Sequence, residues 1–234
     1  MVDATTLKEI FDLIGIDLDK AIAVSEDNDP FECEFEITPD EFLSFAELDI
    51  SGEDSHALVN GLSNAKRAID AQIDLVFQCL HIRPGVIRRH KLEILNDLGI
   101  VAPRIIRKIR DARNLLEHEY KCPTKDQVED AIDIATLFIA ACSRTMHLFP
   151  KYLYIANGDV EPDNIHLFKR SVHIRADWAE EKLTAYADIV GEKPEKFIEV
   201  TNKEPLYYDL LRLFVLSHIE KDQTQAIGTL KKYL

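Results

Sequence analysis

The stretch Pro103–Tyr120, PRIIRKIRDARNLLEHEY, has the spacing of an amphipathic helix in the middle of the 234-residue chain. Apolar residues recur in it every three or four positions and form one helical face; they are Ile105, Ile109, Ala112 and Leu116. Pro103 suits the first helical position, where its missing N–H leaves no hydrogen bond unmade. Pro123 disfavours helical geometry at Cys122. The pattern therefore predicts one helix that begins at Pro103 and ends near Tyr120.

The polar side of this predicted helix is cationic. Four residues share that side of an ideal helix: Arg107, Arg110, Asn114 and His118. Arg113 lies between this side and the apolar face. The helix's C-terminal carbonyls favour a nearby cation, which would help His118 to hold a proton near neutral pH. An arginine that grips phosphate oxygens and a histidine that transfers protons are what phosphodiester chemistry needs.

Arg113, Asn114 and His118 match an R-x4-H motif, and through it the segment resembles the HEPN domains (higher eukaryotes and prokaryotes nucleotide-binding). A polar residue commonly follows the arginine in that family, and Asn114 takes that place here. The flanking segments also resemble the family's four-helix bundle. They are a helix over Ser55–Ile82, whose Asn64–Asp70 run resembles the first HEPN helix, a shorter helix over Ile87–Leu98 stopped by Gly99, and a helix opened by the capping box Thr124-x-x-Gln127.

The resemblance implies a metal-independent endoribonuclease that acts as a toxin or as an effector of antiphage defence. HEPN ribonucleases commonly work as homodimers, in which arginines and histidines of two protomers meet around RNA. Arg113 would steady the charge on phosphorus, His118 would move protons, and Asn114 would orient one of them. Arg107 and Arg110 would bind neighbouring phosphates. The resemblance implies no metal and no cofactor.

Tyr120 extends the motif to R-x4-H-x-Y, the pattern of HEPN toxins whose partner nucleotidyltransferase attaches AMP to the tyrosine. The resemblance therefore implies Tyr120 as a modification site and an antitoxin of that class, or another defence-system protein, as a partner. The added nucleotide would bring bulk and negative charge beside the arginine and repel phosphate.

Other interpretations of the same residues stay open. Arg113 and Glu117 are four residues apart and can form a surface ion pair, while His118 can simply bind a terminal carbonyl of its helix. A HEPN-like domain can also be a non-catalytic nucleotide- or protein-binding subunit of a larger defence assembly. The C-terminal region could hold an active site of its own, although no paired carboxylates or nucleophile motif support that.

The charge of the chain is very unevenly distributed. Its net charge is −14, but residues 1–54 alone hold 17 acidic residues against Lys8 and Lys20, which leaves the other 180 residues at +1. Arg83–Arg113 holds nine Lys and Arg residues against three acidic ones. An acidic segment can simply be a solvated surface. It can also cover the basic block and compete with RNA for it.

The two ends of the chain carry different patterns. Leu7–Ile14 and the segment opened by Thr38–Glu41 are predicted helices, Asp27–Pro30 is a predicted turn, and Phe31–Ile37 alternates like a short strand. Near the C-terminus five short segments have strand patterns: Tyr152–Ala156, Ile165–Phe168, Val172–Ala176, Leu183–Ile189 and Phe197–Thr201. Pro205 opens a predicted helix, and Asp222–Leu234 is the last one.

The sequence therefore predicts an α+β fold with three parts. Residues 1–54 form an acidic, mostly helical segment; residues 55–150 form a four-helix, HEPN-like up-and-down bundle; and residues 151–234 form a small, largely antiparallel sheet with one or two helices.

The remaining features predict a cytoplasmic protein. No stretch approaches the length of a membrane span, and the acidic N-terminus lacks the basic flank of a signal peptide. The four cysteines are scattered without C-x-x-C spacing, so neither disulfides nor a zinc site is indicated. His166 and His173 are seven apart with no neighbouring ligand residues, which makes a metal site there improbable.

Overall fold

The computed structural model describes residues 6–29, 35–52, 54–101, 104, 105, 108, 111, 122–158, 168–194 and 196–234. Over these residues the chain is a mixed α+β protein, as the sequence predicts. It divides into two compact units. The sheet unit comprises Met1–Pro30, Leu80–Arg88 and Leu148–Leu234, and the helical unit comprises Phe31–Cys79 and Arg89–His147.

The described α-helices, in chain order, are α1 Leu7–Ile14, α2 Pro39–Ile50, α3 Ser55–Cys79, α4 Pro84–Ile87, α5 Lys91–Asp97, α6 Lys125–Met146, α7 Pro205–His218 and α8 Thr224–Thr229, and a 3-10 helix follows at Leu230–Tyr233. None of these described helices is long and apolar enough to cross a lipid bilayer.

The sheet unit is built on five antiparallel strands in the spatial order β1-β2-β3-β4-β5. They are β1 Ala21–Asp29, β2 Phe149–Asn157, β3 Arg170–Asp177, β4 Lys182–Ile189 and β5 Phe197–Thr201. Leu153 of β2 lies opposite Ile174 of β3, which lies opposite Ala185 of β4. Because side chains alternate along a strand, these three residues share one face of the sheet. All three are fully buried.

Helix α7 is the central helix of the sheet unit. It packs against β1 and β2, and every residue from Tyr207 to Leu216 is buried. Two of these residues are charged, and both have partners: Asp209 binds the Tyr233 hydroxyl at 2.6 Å and Lys232 at 2.7 Å, and Arg212 donates to Gln225. The C-terminal residues thus satisfy the charges that α7 buries.

Strand β1 lies at the edge of the sheet. A side chain forms hydrogen bonds with part of the backbone on its outer side. The Ala23 N–H donates to Gln223 Oε1, and Gln223 Nε2 donates to the Ala23 carbonyl, both at 2.9 Å. The Ser217 hydroxyl donates to the same carbonyl at 3.2 Å. One amide side chain therefore pairs with β1 as a neighbouring strand would, and it blocks edge-to-edge association there.

We expect Gln223→Ala to lower the free energy of unfolding by about 1–2 kcal/mol, because it removes two hydrogen bonds from a backbone that is largely buried. Exchange of the Ala23 amide proton should accelerate as well. Gln223→Glu should lose at least as much, since it places a second oxygen against the Ala23 carbonyl. Urea unfolding and amide exchange measure both effects, and an unchanged Ala23 exchange rate in Gln223→Ala would contradict this role.

The helical unit packs α2, α3 and α6 together. Its core consists of Ala46, Leu62, Ala65, Val128, Ala131 and Ile132. Gly61 permits a close approach of the two helices, because a Cβ at this position would lie 3.0 Å from Val128 Cγ1. The start of α3 therefore lies against the start of α6. Two capping boxes begin helices here as predicted, Thr38 with Glu41 for α2 and Thr124 with Gln127 for α6.

Two predictions in the acidic N-terminal segment are wrong. Residues 27–29, predicted to turn, continue β1, which pairs with β2 through Asp29 opposite Phe149. The predicted strand at Phe31–Ile37 is absent at Phe35–Ile37, and residues 31–34 lie outside the described residues. The backbone partner supplied by β2 outweighs the turn preference of this acidic run. The acidic segment therefore contributes the first strand of the sheet.

Three helix boundaries also differ from the prediction. The helix predicted over Ile87–Leu98 is continuous only over Lys91–Asp97, as α5, because Ile87 is the last residue of α4 and Arg88 follows it in a left-handed conformation at φ 57°. The helix predicted over Ser55–Ile82 ends at Cys79, before His81 at φ 51°. The last predicted helix is α8 followed by a 3-10 turn. Gly99 does adopt the left-handed conformation expected of a residue that ends a helix.

The predicted C-terminal strands are otherwise confirmed. Tyr152–Ala156, Val172–Ala176, Leu183–Ile189 and Phe197–Thr201 lie within β2, β3, β4 and β5. In the predicted strand Ile165–Phe168, residues 165–167 lie outside the described residues, and Phe168 is not in a strand.

Candidate functional site

The residues that the sequence assigns to catalysis and RNA binding lie outside the described residues. They are Arg107, Arg110, Arg113, Asn114, His118 and Tyr120. Four residues of the same segment are described, and all four are helical. Ile105, on the predicted apolar face, is half-buried, while Arg104, Lys108 and Asp111 are exposed.

The region of α3 that resembles the first HEPN helix has an apolar and a polar side. Ala65, Ala68 and Ile69 are buried. On the polar side the Asn64 amide donates to Asp49 at 2.8 Å, and Arg67 donates to Asn64 Oδ1 at 3.2 Å. Asn64 thus links α2 to α3 by a hydrogen bond within the helical unit.

Part of the basic block is neutralised by ion pairs. Arg83 lies 3.1 Å from Glu181 and lowers the pKa of that carboxyl, and Arg89 lies 3.0 Å from Asp97. Lys91 pairs with Asp74. These three cations are therefore held by the protein's own carboxylates.

The described residues contain a second candidate site, on the sheet face opposite the apolar one. A row of cross-strand neighbours runs from Tyr154 of β2 through His173 of β3 to Tyr186 of β4. The Tyr154 ring stacks on His173 with centroids 4.5 Å apart, and the Tyr186 hydroxyl lies 2.5 Å from Nδ1 of His173. The Tyr152 ring meets the imidazole edge-on at 5.2 Å. We call these four residues the tyrosine–histidine cluster.

The histidine of this cluster is neutral at physiological pH. Burial and then the nearby Arg175 lower the pKa of His173 to about 4. Burial, followed by Glu26, raises the pKa of Tyr154 to about 12, and burial also raises the pKa of Tyr186. The rings of His173, Tyr154 and Tyr186 are therefore uncharged near pH 7. His173 is not suited to general acid–base catalysis at that pH, and the cluster is instead a packed aromatic surface.

A cavity of about 410 Å³ lies at the end of this aromatic surface. It is lined by Lys151, Tyr152, Arg175, Ala176, Asp177, Trp178 and Ala179. Tyr152 belongs to both the cluster and the cavity lining. The lining combines two cations, one carboxylate and two aromatic rings, a combination suited to an anionic ligand that also has a flat surface.

Within the described ranges, no three His, Cys, Asp or Glu side chains come close enough together to hold a metal ion. Comparison of the chain with protein-family models, with curated proteins and with solved structures finds no match.

The sequence did contain a signal for the second candidate site. Tyr152 and Tyr154 alternate with apolar residues in the predicted strand Tyr152–Ala156, and His173 and Arg175 do so in the predicted strand Val172–Ala176. Alternation places each pair on the same face of its strand. What the sequence lacks is the register, since only the pairing of Tyr154 with His173 brings the two strands' rings together.

Proposed function

We propose that the protein is a metal-independent endoribonuclease of the HEPN type, which acts as a toxin or antiphage-defence effector. The observation that carries the proposal is the motif Arg113-Asn114-x3-His118 near the end of a predicted cationic helix. The helix that follows the motif, α6, begins with the capping box of Thr124 and Gln127. Helices α3 and α6 pack against each other, as a helical bundle of that family would require.

The proposed reaction transfers a phosphoryl group within the RNA chain. The 2′-oxygen forms a bond to the adjacent phosphorus, the bond from phosphorus to the 5′-oxygen breaks, and the products are a 2′,3′-cyclic phosphate and a 5′-hydroxyl. In a homodimer, one His118 accepts the proton of the 2′-hydroxyl and the partner's His118 protonates the departing 5′-oxygen. Arg113 stabilises the charge that develops on the phosphoryl oxygens, and Asn114 orients a histidine.

Arg107 and Arg110 hold the phosphates on either side of the cleaved bond in this proposal. Their guanidinium groups can each bind two phosphate oxygens. The experiment that tests the function is incubation of the purified protein with single-stranded RNA in EDTA, followed by analysis of the product ends. Cyclic phosphate and 5′-hydroxyl ends support the mechanism, and intact RNA contradicts it.

We also propose that the acidic segment, residues 1–54, weakens RNA binding. The positions of its residues in the structure determine which substitutions can test this. Removing residues 1–54 would delete β1, so it would disrupt the sheet as well as remove charge. Within α2, Glu41 caps the helix and Asp49 holds Asn64, whereas Asp40 and Glu47 are exposed. Asp40 and Glu47 are therefore the residues to neutralise.

We expect the double variant Asp40→Asn, Glu47→Gln to bind single-stranded RNA more tightly than the wild type at low salt, because it removes two negative charges that repel phosphate. The gain should shrink as salt rises. Glu129→Gln with Asp130→Asn, two exposed acids of α6, is the charge-matched control. Equal gains from both pairs, measured by fluorescence anisotropy, would show an effect of net charge alone.

A further inference from the structure

The cavity beside the tyrosine–histidine cluster has the chemistry of a ligand site. Its volume of about 410 Å³ falls within the range of about 300–1,000 Å³ that small-molecule sites occupy. It lies entirely within the sheet unit, so it is independent of the R-x4-H motif in sequence.

The cationic part of the cavity centres on Arg175. The Arg175 side chain is exposed, and within the described part of the chain no carboxylate lies within salt-bridge distance of it. The one acid of the lining, Asp177, accepts a hydrogen bond from the Glu180 N–H at 3.1 Å in the turn between β3 and β4. Arg175 therefore gives the cavity a cation that no described carboxylate holds, and the arginine fork fits a phosphate group.

The aromatic part of the cavity is held in place by the cluster. Tyr152 packs edge-on against the buried His173, which itself stacks on Tyr154 and contacts the Tyr186 hydroxyl. These contacts restrict the Tyr152 ring before any ligand arrives. A fixed ring loses little entropy when a flat group stacks on it, which favours binding of a base.

We propose that this cavity binds a nucleotide, with the phosphate on Arg175 and the base stacked on Tyr152. A free nucleoside monophosphate and the 5′-phosphorylated end of an RNA chain present the same chemistry, so both are candidate sources. None of the residues that line the cavity belongs to the proposed ribonuclease motif, and nucleotide binding does not depend on RNA cleavage.

The protein contains its own reporter for this binding. Trp178 is the only tryptophan of the sequence, and it lines the cavity. Titration with adenosine 5′-monophosphate should change the intrinsic fluorescence in a saturable way. Adenosine and inorganic phosphate should each bind at least about tenfold more weakly, because each keeps only half of the contacts. Inorganic phosphate binding as tightly as the nucleotide would overturn the role of Tyr152.

A short oligoadenylate with and without a 5′-phosphate distinguishes the two sources. The titration uses the His118→Ala protein so that no RNA is cleaved during the measurement. A 5′-phosphorylated oligomer that binds more tightly than both the monophosphate and the unphosphorylated oligomer assigns the site to RNA ends, and a monophosphate that binds more tightly than the 5′-phosphorylated oligomer assigns it to free nucleotide. Because this variant lacks the proposed catalytic histidine, saturable binding of the monophosphate to it would support the nucleotide site whether or not the nuclease proposal is correct.

Substitutions test the two halves of the site. Arg175→Gln and Tyr152→Leu should each weaken nucleotide binding roughly tenfold or more, while Tyr152→Phe should keep it, since the ring remains. Lys193→Gln, an exposed cation outside the cavity, is the charge control and should have little effect. The absence of saturable binding to the wild type, or equal affinity of the wild type and the folded Arg175→Gln variant, would overturn the proposal.

Discussion

The His118→Ala variant is expected to cleave single-stranded RNA at least about 10²-fold more slowly than the wild type, while its RNA affinity changes little. The loss follows because the histidine moves protons in the transition state and contributes little to holding the phosphate of the bound substrate. The measurement is single-turnover cleavage in EDTA, with affinity determined separately by fluorescence anisotropy. His147→Ala removes an exposed histidine at the end of α6 and serves as the matched control.

Substitutions of Arg113 separate charge from geometry in the same assay. Arg113→Ala should weaken both RNA binding and cleavage, since an arginine binds phosphate in the ground state as well as in the transition state. Arg113→Lys should restore little activity, because an ammonium group cannot reproduce the two parallel hydrogen bonds of the guanidinium.

The alternative interpretation of the motif makes a different prediction for the same variants. If Arg113 only pairs with Glu117 and His118 only caps a helix, each alanine variant should lose about 0.5–1 kcal/mol of stability and no cleavage activity. Melting temperatures measured alongside the cleavage rates distinguish the two cases. Cleavage by His118→Ala at the wild-type rate would rule out the proposed mechanism.

Some of the helices and strands can be predicted from the sequence and others cannot, and the difference has physical reasons. Strands β3, β4 and β5 are predictable because apolar and polar side chains alternate along them, and α6 is predictable because its capping box is a local signal. Strand β1 is not, because its second half consists of residues typical of turns, and its partner β2 lies far along the chain. Non-local pairing decides its conformation, and a local pattern cannot show that.

The split between α4 and α5 has a similar cause. The sequence from Ile87 to Leu98 has helical spacing, but Arg88 adopts a left-handed conformation that few residues other than glycine favour. Arg88 ends α4 in that conformation, with its N–H donating to the Pro84 carbonyl at 2.7 Å. The pattern therefore predicts a helix in this segment correctly but places its start too early.

The two candidate sites illustrate what each kind of information contributes. The R-x4-H motif is a local pattern within one predicted helix, so the sequence alone suggests it. The tyrosine–histidine cluster draws its rings from three strands, and it depends on the register that places Tyr154, His173 and Tyr186 in one row. From the sequence, His173 could be considered only as a metal ligand, and the lack of neighbouring ligand residues argued against that. In the structure, its aromatic neighbours make it the centre of an aromatic surface.

Folding of the sheet unit should depend on pH through His173. Its pKa is about 4 in the folded protein, and an unfolded chain would have the ordinary value of 6.5. Between these values the unfolded chain takes up a proton that the folded protein excludes, so stability falls as the pH drops from about 6.5 to 4. The full difference corresponds to about 3 kcal/mol of unfolding free energy from this one residue.

The variant His173→Phe isolates this contribution, because phenylalanine keeps a ring between Tyr152 and Tyr154 but cannot titrate. It should be less stable than the wild type at pH 7, since it loses the contact with the Tyr186 hydroxyl. Its unfolding free energy should fall less steeply towards pH 4, by up to about 3 kcal/mol. Charged groups near these rings, such as Glu26, Asp188 and Arg175, are present in both proteins, so their effects largely cancel in the comparison. Urea unfolding followed by Trp178 fluorescence at several pH values measures the difference, and His147→Phe controls for the loss of an exposed histidine. Parallel pH profiles for His173→Phe and the wild type would show that the buried imidazole does not oppose protonation.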